Sequence, residues 1–405
     1  MLESAANFRH ELLQLERDQL DAFAVFVLDQ TLLCTLTVHS AGVARQIFVT
    51  TNDRGLRLNQ SDVFKSQITS VATSDDAAAH IVKVWSEIDE LFPDKENFYD
   101  FLAAVDVLTR RTWTGPEGLT QLGDFIIANF DEPKIVDWIN RLRRLADAWK
   151  TIFAVRHPEA IDPMQGNLRR LHFFGWREWH PLALFYVDQY LYFKRTGVKK
   201  SVEAMQRRFR LLHKRCMGFT LARLSEGARQ AAFRKSLNWA YRQANPFSRS
   251  GPLELTDGQK GRVRQATMEP MYHEDIYRPF ARWYESMLWN NDVPSRILAA
   301  TVEHVLPKAV DPTSEWTKDF PAEETRLRLA HQAGNLCLLT EEDNIKAGRA
   351  PFREKKKIYR SAKWKAKMTD DVSRRAYWTP EIIEQRTLEI STLVLERLDM
   401  QKLDP

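Results

Sequence analysis

Apolar residues recur at helical spacing through most of the chain, and the places where that rhythm fails mark changes of architecture. Residues 4–29 predict a helix. "TLLCTLTV" (31–38) is β-branched, bounded by polar residues, and predicts a strand. "AGVARQIFVTT" predicts a helix again, "NDRGL" (52–56) a tight turn, and "NQSDVFKSQI" a helix with Asn59 as N-cap and Asp62 three residues on. Helical spacing continues over 76–92, 96–111, 117–155 and most of 181–243. The Pro, Gly and Ser of 242–261 predict a surface loop, and "EDIYRPFARWYESMLWNN" returns to helix. The rhythm then changes. "SRILAATVEHVLP" tends to strand, and "GNLCLLT" is a second strand entered through a Gly-Asn turn. "EEDNIKAGR" is a short helix or turn, and a last helix starts at "WTPEIIEQR" with Thr379 as N-cap and Pro380 at N1. The expectation is a mainly α, multidomain protein with a small ββα unit. Its divisions are 1–75, a helical middle at 76–290, and 291–405.

Composition narrows the class. With 405 residues and 44% hydrophobic content, the chain can bury two or three cores. Lys plus Arg number 59 against 54 Asp plus Glu, a net +5 that permits an anionic partner without demanding one. No apolar run is long enough to span a bilayer, and the acid-bearing start reads as neither a signal nor a transit peptide. Cys34, Cys216 and Cys337 are far apart, which argues against a zinc knuckle or disulfide framework and fits a reducing cytoplasm.

The C-terminal quarter carries candidate chemistry. Cutting a phosphodiester takes a base for water, a cation for the departing oxygen, and a group that orients the base. Glu303 and His304 end a strand that Pro307 releases into a loop. Asn335 stands at the mouth of the second strand, and Asn344 follows nine residues later. Alternation puts Glu303 and His304 on opposite faces unless the strand ends or twists there. A lone histidine beside a strand is more often a packing residue, Asn335 after Gly334 a turn residue, and Asn344 a helix cap. Their order is what shifts the balance.

"VEHVLP…AGNLCLLTEEDNIKAGRAPFREKK" resembles the His-Me finger, or HNH, nuclease motif. More narrowly, it resembles the C-terminal domain of GmrSD-type, modification-dependent (type IV) restriction endonucleases over about residues 295–398. The resemblance implies that His304 is the general base and that Asn335 holds the ββα loop and orients His304. It implies that Asn344 ligates one divalent metal, Mg²⁺ or Mn²⁺, and that Glu303 fills a metal-ligand place often held by Asp. Lys355 and Lys356 match the trailing family lysine. They belong to 349–367, where nine Lys or Arg face one Glu. Lys346, Arg349, Arg353, Lys355, Lys356 and Lys357 are the expected contacts to the DNA backbone.

"IFVTTNDRGLRLNQSDVFKSQI" (47–68) resembles the C-terminal part of the ParB-like nucleotidase domain of the same enzymes, through Phe48, Asn52, Gly55, Leu58, Asp62 and Lys65. A helix end, a glycine turn and a capped helix explain most of these without a ligand. The nucleotidase signature expected upstream is absent, and Asp257-Gly258-Gln259 sits in the wrong place for it. The chain is therefore expected to be a truncated or split member that does not hydrolyse NTP, with a separate nucleotidase subunit as partner. In the middle, Arg207, Arg208, His213, Lys214 and Arg215 either line a DNA surface or snorkel around a helix.

The resulting expectation is a cytoplasmic, metal-dependent endonuclease acting on double-stranded DNA, plain or base-modified, in defence against foreign DNA. The rival is a non-catalytic DNA-binding or regulatory subunit of a two-part restriction system.

Overall fold

Helices dominate because apolar side chains every three to four residues give each segment one face to bury, and among the described residues just two four-residue stretches form strands. The computed structural model describes residues 8–30, 60–113, 118–154, 163–289 and 293–400. The mainly α expectation holds. The proposed strand at 31–38, the helix at 41–51, Phe48, Asn52, Gly55, Leu58, the Asn59 cap and Cys34 lie outside the described residues.

Two units divide the chain, Met1–Asn59 and Gln60–Pro405. In the first, helix α1 (Arg17–Asp29) opens with a capping box between Glu16 and Gln19. The helix expected over 4–29 is interrupted at 13–16.

The second unit begins with α2 (Gln60–Thr69), α3 (Asp75–Glu90), α4 (Lys95–Arg110), α5 (Gly118–Asn129), α6 (Glu132–Ala154) and α7 (Pro163–Leu171). It continues with α8 (His180–Thr196), α9 (Lys199–Leu221), α10 (Glu226–Tyr241), α11 (Asp257–Met268), α12 (Glu274–Leu288) and the one-turn α13 (Arg296–Ala299). Strand β1 (Thr301–His304) leads to α14 (Glu315–Asp319) and α15 (Glu323–Ala330). A 3₁₀ turn (Ala333–Asn335) then enters β2 (Leu336–Leu339). The chain closes with α16 (Glu341–Ala347), α17 (Phe352–Ser361), α18 (Lys367–Arg374) and α19 (Pro380–Arg397). Local capping chemistry sets several starts: Ser74 accepts from Ala77 N, and Ser225 from Ala228 N. Asp257-Gly258-Gln259, expected in a loop, instead opens α11. Thr256 accepts from Gln259 N, and the Gln259 side chain returns the bond to Thr256 N.

Most of the aromatic stretch 171–193 is core: Phe173, Phe174, Trp179, Phe185, Tyr186 and Tyr190 are buried, while Tyr192 is exposed. His213 is also core, accepting from Trp283 Nε1 at Nδ1 (3.1 Å). Lys214 bonds Asp399 and Arg215 pairs Glu254, so these three residues do not form a free cationic row. Helix α12, which lies before the division expected near 290, packs on both strands.

Buried neutral histidines make the fold acid-sensitive. Burial, then His172 and Arg177, hold His180 down at about 3, and burial holds His213 well below its ordinary 6.5. Below pH 6.5 the unfolded chain takes up protons that the folded chain does not, so stability falls as pH falls, by about 1.4 kcal/mol per pH unit per histidine. Half-buried Asp188 and buried Glu285, whose carboxyls burial raises, act in the opposite sense nearer their own range. Urea titrations between pH 7 and 5.5 should show this loss, and because a third buried histidine, His304, is held down in the same way, His180→Phe should remove about a third of it. A flat profile would refute the assignment.

Candidate active site

β1 and β2 pair antiparallel, with Thr301 opposite Leu339, Val302 opposite Leu338, Glu303 opposite Cys337, and His304 opposite Leu336. Thr340 caps α16, accepting from Asp343 N, and α16 folds back onto both strands. The order is strand, strand, helix, with an insertion of two helices between the strands.

The two faces of β1 stay distinct up to its last residue. On one, Glu303 is buried, and its Oε1 accepts from Lys355 Nζ (2.6 Å) and Tyr359 OH (2.8 Å). Lys355 is 0% exposed and also donates to His304 O (3.0 Å). Burial raises the Glu303 carboxyl, while Lys355 and Tyr359 pull it back. Burial pushes the opposing Cys337 thiol up to about 12.

His304 points the other way. Its ring meets Tyr277 edge-on (5.2 Å between centroids, 90°) and His331 (5.7 Å). It is 7% exposed, and Nε2 is buried without a hydrogen-bond partner among the described residues. Burial first, then Lys308, His331 and Lys355, hold its imidazole down at about 3, so it is neutral at pH 7. Lys308 Nζ donates to Tyr277 OH (3.0 Å), which brings an ammonium to this face. His331 Nδ1 is likewise buried without a partner.

Asn335 is fully buried and fully satisfied. Oδ1 accepts from Leu306 N (2.7 Å) and Trp378 Nε1 (3.1 Å), and Nδ2 donates to Leu306 O and Ala330 O (both 2.9 Å). It therefore pins the loop just after His304, and its amide does not reach the imidazole. Arg386 on α19 holds Gly334 O and Leu336 O. Gly334 N donates to Thr387 Oγ1 (3.0 Å). A Cβ at Gly334 would run into Ile383 O and Thr387. Gly334→Ala is expected to cost about 2–3 kcal/mol through overpacking. Chemical denaturation checks it, and an unchanged midpoint would refute the close approach.

Asn344 Nδ2 donates to Thr301 Oγ1 (3.1 Å) and Val302 O (3.4 Å). Its Oδ1 has no hydrogen-bond partner among the described residues. Glu303 and Asn344 do not make a donor set for a divalent ion as they stand, because the Lys355 ammonium occupies the Glu303 carboxylate. Among the described residues, no group of three or more His, Cys, Asp or Glu converges to hold a metal.

The basic run divides as well. Lys355 is interior, Lys356 is half-buried and donates to Arg375 O (2.6 Å), and Tyr359 and Trp364 pack inward. Lys346 pairs Glu342, while Arg353 and Lys357 share Glu354. Arg349, Arg360, Lys363 and Lys365 are exposed and form no hydrogen bond or ion pair among the described residues. Sequence reasoning singled out only Arg349 of these four. It also missed Tyr277, Lys308, His331 and Trp378, which meet the site from distant parts of the chain and carry no local signal.

Comparison with curated proteins finds no match. Residues 269–393, which span the site from the approach to α12 through most of α19, match the family model for the C-terminal domain of GmrSD restriction endonucleases.

Proposed function

We propose that this chain is a DNA endonuclease of the HNH type whose C-terminal unit hydrolyses phosphodiester bonds, in defence against foreign, plain or base-modified DNA. One observation carries the reading. In the segment that matches the restriction-endonuclease family, a neutral imidazole with an unpartnered Nε2 ends β1 of a strand–strand–helix unit. Such a nitrogen can take the proton of an attacking water. Asn335 fixes the loop beside it, and Lys308 brings a cation to the same face. Arg349, Arg360, Lys363 and Lys365 offer phosphate contacts whose binding weakens with salt. Because Tyr277 belongs to the site, the working unit starts before α12 rather than at 291.

A divalent ion would supply Lewis-acid stabilisation of the departing oxygen. The residues as arranged do not fit one, and no step here depends on it.

The burial of His304 and the engagement of Glu303 by Lys355 favour a second reading, a non-catalytic DNA-binding component. The test incubates the full chain with plain and base-modified duplexes in Mg²⁺, Mn²⁺ or EDTA. Cutting supports the nuclease, and its EDTA sensitivity decides metal dependence. Salt-sensitive binding with no cutting on any duplex selects the second reading.

A further inference from the structure

A cavity of about 680 Å³ opens between the segment 173–176, the C-terminal end of α9 and the first turns of α12. Its size is that of a small-molecule site. Its lining combines aromatic surface with guanidinium groups. Trp176 is half-buried, with the Arg229 guanidinium 4.9 Å from its ring centroid and the Phe174 and Phe233 rings packed against it. Two of the arginines are fixed. Arg229 is held by Glu178 and Leu224 O, and Arg282 donates twice to Ala300 O, immediately before β1. The other two can engage a ligand. Arg223 is exposed and makes no side-chain hydrogen bond or ion pair among the described residues. Arg278 has only an exposed i,i+4 pair with Glu274 (2.8 Å), which a phosphate can displace cheaply.

We propose that this cavity binds one nucleotide, its base against Trp176 and its phosphate on Arg223 and Arg278. A base needs a flat π or guanidinium surface, which the exposed part of Trp176 and the Arg229 guanidinium beside it offer. A phosphate needs guanidinium donors that are not already committed, which Arg223 and Arg278 provide. Exposed Asp275, also in the lining, can accept from an exocyclic amino group, which favours cytosine, adenine or guanine over thymine. The same chemistry is offered by a free nucleotide and by an unstacked nucleotide of a strand. Only the strand source rests on the nuclease reading.

The test measures binding to the full chain rather than cleavage, so it can fail while cleavage persists, and the reverse. One arm titrates dCMP and dAMP by calorimetry. The other follows a labelled single-stranded oligonucleotide by anisotropy across a salt series. Arg223→Gln, Arg278→Gln and Trp176→Leu are compared with Arg249→Gln, an exposed arginine outside the cavity. Each arginine variant is expected to weaken binding about tenfold and to lower the salt slope of the strand arm by about 0.7. Trp176→Leu should weaken it by about tenfold or more. Loss on mononucleotides assigns a free nucleotide, and loss on the strand alone assigns a strand nucleotide. If the wild type binds neither probe, or the two arginine variants bind as Arg249→Gln does, the proposal is wrong. The arginines are exposed, so that comparison stands even if Trp176→Leu fails to fold.

Discussion

Lys355→Ala should lower the unfolding free energy by about 3–5 kcal/mol, the cost of stranding a buried charge. Lys355 is fully buried, and its ammonium meets a carboxylate at 2.6 Å and a backbone carbonyl at 3.0 Å. Removing it leaves Glu303 in the interior with Tyr359 as its remaining side-chain donor. The pair itself need not be stabilising, because desolvating two ions consumes most of their attraction. A double variant makes that distinction. Glu303→Gln with Lys355→Met keeps an acceptor for Tyr359, removes both charges, and should recover most of the loss. Urea denaturation of the three proteins measures it. A single-variant loss under about 1 kcal/mol would mean that the two groups are solvated and not a buried pair.

His304→Ala should slow DNA cleavage by about two to four orders of magnitude, the range for removing a general base. Binding should persist, because the exposed cations lie on α17 and the segments flanking it rather than on β1. The ring also contacts Tyr277 and His331, so a modest loss of stability accompanies the substitution. The rate and the DNA affinity are therefore measured on the same folded preparation. Cutting at the wild-type rate would remove His304 from the chemistry, and loss of both cutting and binding would mark it as structural.

The strand–strand–helix unit was legible because its signals are local. "TVEHVLP" combines β-branched residues with a stopping proline, and "GN" opens the second run. Asn335 was legible as a residue that holds the loop, although its target is the backbone of Leu306 rather than the imidazole. The fate of the lysine run was not legible. Lys355, Lys356 and Lys357 look alike in sequence, yet helical geometry turns the first to the core, the second to a carbonyl and the third to solvent. The family resemblance put Glu303 in a metal-ligand place, and its true partner, Lys355, was hidden 52 residues on, in a helix whose burial face appears only once it docks. His331 and Tyr277 lacked any pattern because they reach His304 only through tertiary packing.

The clamp around the turn before β2 bears on biosynthesis. Asn335 accepts from Trp378, and Arg386 holds Gly334 O and Leu336 O, so part of the frame of the loop beside His304 comes from residues translated after both strands. A nascent chain that has reached β2 but not α19 has the Leu306 and Ala330 bonds of Asn335 but lacks the part of the frame that Trp378 and Arg386 supply. The frame of this loop is therefore complete only once translation has passed Arg386.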